Sequence, residues 1–169
     1  DRDLELNLRE IAEVKRAWSD RAMVVSLMVP CQEASWRAIL ARVEDTGADA
    51  VELNFGCPHG MSERGMGAAV GQVPDYVEMV ARWVKQHSKL PCIVKLTPNV
   101  TSILAPARAA KDGGADAVSL INTMNSIMRV DYDKLMGDSR AEPSKAVRAR
   151  VEAARQVQAT RFRDLPNVF

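Results

Sequence analysis

Nine residues, Asp45-Thr46-Gly47-Ala48-Asp49-Ala50-Val51-Glu52-Leu53, return 67 positions later as Asp112-Gly113-Gly114-Ala115-Asp116-Ala117-Val118-Ser119-Leu120. Each copy reads as the last turn of a helix, a glycine able to take the left-handed cap, a short turn and a buried strand. Each also leads to an asparagine, Asn54 or Asn122. Between the copies lies another apolar run, Cys92-Ile93-Val94-Lys95-Leu96, closed by Thr97-Pro98-Asn99. A further run over 23–29 precedes both and is stopped by Pro30.

Helical periodicity fills the gaps. Leu8, Ile11, Ala12, Val14 and Trp18 share one face, and Trp36, Ile39, Leu40 and Val43 share another within 33–45. A long glycine-containing loop is predicted over 56–72, then a helix opening at Pro74, a residue suited to a first turn. The next helix runs through Ala110 with Pro106 near its start or kinking it. Strands separated by helices predict an α/β fold with a parallel sheet and right-handed crossovers. About four βα units are half of a (β/α)8 barrel, which takes about 250 residues when complete. The expectation is a partial TIM-barrel-like parallel sheet over 1–136, with a smaller open α/β sheet as the alternative.

From 137 the character changes to a linker and an Arg- and Ala-rich stretch, read as a C-terminal helix outside the barrel pattern over 137–169. Within it, Ala146 to Phe162 weakly resembles a helical segment of magnesium-chelatase-like ATPases, without a P-loop. A solvated helix is the plainer reading, since its basic residues lack an interleaved aromatic stripe.

Composition narrows the partners. With 47% hydrophobic and 27% charged residues the chain fills an ordinary domain core. Its formal charge of +1 gives no electrostatic reason to expect nucleic acid or a membrane surface. Cys31, Cys57 and Cys92 are odd in number and form no CxxC pair, so no disulfide scaffold or metal site is indicated and a reducing cytoplasm is expected. No apolar run reaches spanning length, and the charged start does not read as a signal peptide.

In parallel α/β sheets the carboxyl ends of the strands face one way, and ligands bind there. Three strand ends carry Asn54 with Cys57, Lys95, and Asn122 with Thr123. Asparagine amides offer a donor and an acceptor, a match for an alternating C=O and N–H edge. A thiol with reference pKa about 8.5 is mostly protonated at neutral pH and can give a proton. A strand-end lysine stabilises negative charge building on a cofactor. Taken singly, these are a small buried thiol, a snorkelling lysine and two strand-end caps. His59 and His87 are too separated for a metal site, and His87 at a helix end favours the dipole.

Three motifs then carry a resemblance: Val51-Glu52-Leu53-Asn54-Phe55-Gly56-Cys57-Pro58-His59-Gly60-Met61-Ser62-Glu63-Arg64-Gly65-Met66-Gly67; Val94-Lys95-Leu96-Thr97-Pro98-Asn99-Val100-Thr101; and Gly113-Gly114-Ala115-Asp116-Ala117-Val118-Ser119-Leu120-Ile121-Asn122-Thr123. In that order they closely resemble the dihydropyrimidine dehydrogenases, nearest the bacterial catalytic subunit of the NAD-dependent enzyme. The resemblance implies an FMN-bearing barrel related to dihydroorotate dehydrogenase that reduces uracil and thymine at the 5,6 double bond. It implies Cys57 as general acid on a mobile loop, Asn54, Phe55, Gly56, Asn122 and Thr123 around the pyrimidine, and Lys95 against the flavin. It further implies an NAD(P)H-oxidising flavin/iron–sulfur partner subunit, with iron–sulfur clusters in that partner or in segments absent here. The family's barrel starts upstream of Asp1 and continues past Met136 to glycine-rich strand ends that hold the FMN phosphate, and the phosphate-binding part is expected to be missing here. A partial barrel with unpaired edges is therefore expected, with oligomers possible. The alternatives are a dihydroorotate dehydrogenase-like FMN oxidoreductase and a non-catalytic α/β interaction module.

Overall fold

The structure, a computed structural model, describes residues 3–58 and 65–125, together with Glu152. Four strands, β1 (Val24–Leu27), β2 (Ala50–Asn54), β3 (Cys92–Lys95) and β4 (Ala117–Ser119), form one parallel sheet in the order β1-β2-β3-β4. The crossovers contain α2 (Glu33–Glu44), then α3 (Ala68–Gly71) with α4 (Pro74–His87), then α5 (Leu104–Asp112), while α1 (Leu4–Ala17) precedes the sheet. This is the predicted alternation, and the expected partial barrel-like parallel sheet is the fold of the described residues 3–58 and 65–125. The boundary expected at Met136 and the helix expected over 137–169 lie outside the described residues, except that Glu152 is helical and exposed.

One face of the sheet makes the core. Val25 and Leu27, Val51 and Leu53, and Cys92 and Val94 are buried at alternating positions of β1, β2 and β3. Trp36, Leu40 and Val43 of α2, Val77, Val80, Ala81 and Val84 of α4, and Ala109 and Ala110 of α5 join them in one cluster. The period of two along the strands and of 3.6 along the helices therefore meet on the same surface. The opposite positions, Val24, Ser26, Glu52, Asn54, Ile93 and Lys95, are half-buried or exposed. They make the face that a closed barrel would turn inward.

The repeated motif has a repeated job. Gly47 and Gly114 take φ of +80° and +88°, as the left-handed cap requires. Two residues on, Asp49 accepts a hydrogen bond from the Met23 N–H at 2.7 Å and pairs with Lys15 of α1 at 2.8 Å. Asp116 does the same with the Cys92 N–H at 2.7 Å and Lys85 of α4 at 2.8 Å. The backbone answers in kind: Asp49 N–H donates to Met23 O, and Asp116 N–H to Cys92 O, each at 2.9 Å. Each aspartate thus ties the foot of its own strand to the foot of a neighbouring strand and to the helix that leads into that neighbour.

Two local details refine the prediction. Pro106 is the third residue of α5, among the N–H positions with no intrahelical acceptor, so it sits near the start and breaks no helical hydrogen bond. The segment predicted as an uninterrupted loop over 56–72 contains the short helix α3, whose Ala68 N–H donates to Cys57 O at 3.1 Å. Four residues are too few to carry a readable 3.6-residue period. His87 ends α4, as expected, and its Nε2 also meets Glu33 Oε1 of α2 at 2.8 Å.

Asp49 and Asp116 are held below the ordinary carboxylate range, first by the lysine hydrogen bond and then by the backbone N–H. A depressed folded pKa adds stability that is fully present above the unfolded value of about 3.9 and is lost as pH falls through the folded value. Stability should accordingly begin to fall below about pH 5. Asp116→Asn should lower the urea midpoint at pH 7 and flatten this acid limb, which urea unfolding at a series of pH values would measure.

Candidate active site

The site is built outward from Asn54, the last residue of β2. Its side chain lies on the same sheet face as Glu52, and its Oδ1 accepts from Gly56 N–H at 3.3 Å and Cys57 N–H at 3.2 Å. That closes a turn directly after the strand, a use of asparagine common where chains must bend. A third donor reaches the same oxygen: Asn122 Nδ2 at 2.9 Å. Asn122 is held in turn by its own N–H, which donates to Leu96 O at 2.9 Å, and its Oδ1 accepts from Thr123 N–H at 2.7 Å. The two asparagines that end the repeated motif are therefore joined side chain to side chain.

Gly56 makes that approach possible. A Cβ there would lie 2.2 Å from Asn122 Cβ and 2.8 Å from its Nδ2. Asn99 extends the rim on the far side, its Nδ2 donating to Thr123 O at 3.0 Å and its Oδ1 accepting from Asn125 N–H at 2.9 Å. Buried Thr97 supports it, with Oγ1 accepting from both Asn99 nitrogens at 3.2 Å. Asn99 had been read only as a strand terminator. Its signal was available, because all three of these strand ends carry an asparagine.

Lys95 is the register partner of Asn54, yet its ammonium reaches along the sheet to Glu52 Oε1 at 2.7 Å. The same oxygen accepts from Ser26 Oγ at 2.8 Å. Neither Glu52 nor Ser26 was singled out from sequence, although a carboxylate inside Ala50-Val51-Glu52-Leu53 is a conspicuous interruption of an apolar strand. Phe55 sits differently from its neighbours. Its ring is buried in the core, edge-on to Trp36 with centroids 6.4 Å apart. Anything it presents at the rim is main chain.

Cys57 is half-buried at the rim, its N–H on Asn54 and its carbonyl on Ala68. Burial pushes the Cys92 thiol up to about 12, and the Cys31 thiol is raised by burial too. Residues 59–64, within the stretch expected to be a mobile loop, lie outside the described residues.

A flavin ring needs a cation near its pyrimidine portion and amide groups along its edge. Lys95 has two ammonium donors beyond the one used by Glu52, and Asn54 Nδ2 finds no acceptor among the described residues. The residues present fit the ring system.

The dihydroorotate dehydrogenase family model matches residues 6–145. The chain belongs to the dihydroorotate dehydrogenase family. Within this oxidoreductase family it is 42% identical over 135 residues to the chloroplastic dihydropyrimidine dehydrogenase (NADP(+)) of Arabidopsis thaliana, covering 80% of this chain and 32% of the relative. It is 40% identical over 134 residues to the NAD-dependent dihydropyrimidine dehydrogenase subunit PreA of Escherichia coli (strain K12), covering 79% and 32%. A dihydroorotate dehydrogenase B (NAD(+)) catalytic subunit from Lachnoclostridium phytofermentans is 44% identical over 95 residues, 56% of this chain and 30% of the relative. The chain spans about a third of the length of these curated relatives. No helix among the described residues is long and apolar enough to cross a membrane.

The Gly56–Asn122 contact yields a test of how this rim is assembled. Gly56→Ala should destabilise the chain by about 1–3 kcal/mol, the usual cost of forcing atoms into a packed site. In an Asn122→Gly background, which removes the Cβ that the new methyl would strike, the same change should cost measurably less. A double-mutant cycle by urea unfolding would report the coupling.

Proposed function

We propose that this chain is the pyrimidine-reducing segment of an FMN-dependent dihydropyrimidine dehydrogenase, acting on the 5,6 double bond of uracil or thymine. The observation that carries this reading is the meeting of Asn54, Asn122 and Cys57 at one strand-end rim, beside the Lys95 strand end. Match length favours it over the dihydroorotate dehydrogenase reading, since the dihydropyrimidine dehydrogenases align with 80% and 79% of the chain and the dihydroorotate dehydrogenase with 56%.

Bound FMN, once reduced, would supply the hydride. Cys57 then gives its proton to the neighbouring ring carbon, where negative charge has developed, and the thiolate is later reprotonated from solvent. Asn54 Nδ2 donates to a pyrimidine carbonyl, and the amide of Asn122 and the main chain of Phe55 and Gly56 fix the ring's edge. Thr123 adds a hydroxyl at the rim. Lys95 places positive charge where the reduced cofactor carries negative charge. Electrons would come from an NAD(P)H-oxidising flavin/iron–sulfur partner subunit, and a cytoplasmic location is proposed with it.

The purified chain titrated with FMN should quench flavin fluorescence in the micromolar range or weaker, since the phosphate is not held by the described residues. Anaerobic mixing of the reduced complex with uracil should reoxidise the flavin. Cys57→Ala should slow that step by roughly 10²–10⁴-fold, the range for loss of a general acid, with flavin binding retained. Cys92→Ala should leave it nearly unchanged. Equal slowing in both variants would remove Cys57 from the chemistry, and failure to bind flavin would return the non-catalytic module as the better reading.

A further inference from the structure

The face opposite the helix-covered core carries a polar chain that crosses three strands. Ser26 of β1 stands directly beside Glu52 of β2, and Lys95 of β3 reaches the same carboxylate from the level of Asn54. Both donors converge on one oxygen, Oε1, at 2.8 Å from Ser26 Oγ and 2.7 Å from Lys95 Nζ. The ion pair is not a surface ornament, for the Lys95 and Glu52 side chains keep only 24% and 18% of their exposure. A half-buried carboxylate in an otherwise apolar strand is expensive unless it is paired and hydrogen-bonded. Glu52 is both.

From this geometry we infer that Glu52 is a positioning residue that holds the Lys95 ammonium against the open face of the sheet, with Ser26 fixing the carboxylate from the other side. The inference rests on the flavin reading of the site and adds to it the residue on which the lysine's placement depends. Lysine is a flexible four-carbon stem with a compact charge, and it loses rotamer freedom when held. An ammonium free to sweep through solvent would present no fixed charge to a ring. Tied to Glu52, it lies one step below the Asn54–Asn122 rim with two donors still to offer. A ligand seated on the face and rim would therefore meet an amide layer above and a fixed ammonium below.

The test compares wild type with Glu52→Gln, Ser26→Ala and Lys95→Met in the chain as it stands. Acylation of Lys95 by an amine-reactive ester, followed by peptide mass spectrometry, reads how firmly the ammonium is held and needs no flavin. Glu52→Gln should accelerate it about two- to fivefold, the scale of a partly exposed ion pair, and Ser26→Ala should accelerate it less. Acylation elsewhere, at Lys111 for instance, should not change, which separates a local release from general loosening. In FMN titrations Glu52→Gln and Lys95→Met should each weaken binding, and the double variant should bind no more weakly than Lys95→Met alone. Unchanged Lys95 acylation in Glu52→Gln, or additive losses of FMN affinity, would overturn the inference. If Glu52→Gln fails to fold, Ser26→Ala carries the same acylation comparison. A wild-type chain that binds no flavin at all would remove the proposed function, and the acylation rates would still decide whether Glu52 holds Lys95.

Discussion

The tie between each strand foot and its neighbour is the constraint on which the remaining geometry depends. Parallel strands cannot be set in register by a hairpin turn, because each crossover is long and its closure entropy leaves many offsets open. Asp49 and Asp116 remove that freedom at the amino ends of two strand pairs, β1 with β2 and β3 with β4. Each accepts from the N–H at the foot of a neighbouring strand and from the lysine of the helix leading into that strand, fixing helix, turn and two strands together. A slip of one residue would turn Glu52, Asn54 and Lys95 into the apolar layer and bring Val51, Leu53 and Val94 out of it.

Register at the feet becomes alignment at the rim. The three strand ends finish at a common level, and the asparagines there are used mainly to hold one another and the main chain. Asn54 Oδ1 has three donors, so this atom is committed to structure. What remains for a ligand is the amide nitrogen. This division suits a binding edge, because a group fixed by three hydrogen bonds cannot rotate to satisfy a mismatched partner, and a ligand lacking the complementary acceptor would leave a donor unmet.

The strands and helices were legible because burial on one face of a parallel sheet imposes both periods at once. The repeat located Asn54 and Asn122, and the structure joins them. Strand alternation also contained the position of Phe55, since Val51, Leu53 and Phe55 share a phase and all three are buried. Motif reading grouped Phe55 with its rim neighbours because adjacency along the chain obscures the change of face. Glu52 stood out as a charge in its strand, but its pairing with Ser26 was illegible: a carboxylate and a hydroxyl 26 residues apart become partners only through register, which no local window contains. The short helix α3 was missed because four residues carry too little pattern.

Glu52 also explains why a lysine is tolerated on this face. Lys95 continues the phase of Ile93, and both side chains are half-buried. Without a counter-charge, a half-buried ammonium there would lie uncompensated or pull the strand end into solvent. The carboxylate supplies the counter-charge from the adjacent strand, and the Ser26 hydroxyl orients the carboxylate without adding charge. The pair is then neutral as a whole but polar across the sheet, with its positive end toward the β3 side. A ligand that gains negative charge during reaction can draw on that positive end without a charged side chain having to move into place, which is the condition for electrostatic stabilisation to be preorganised.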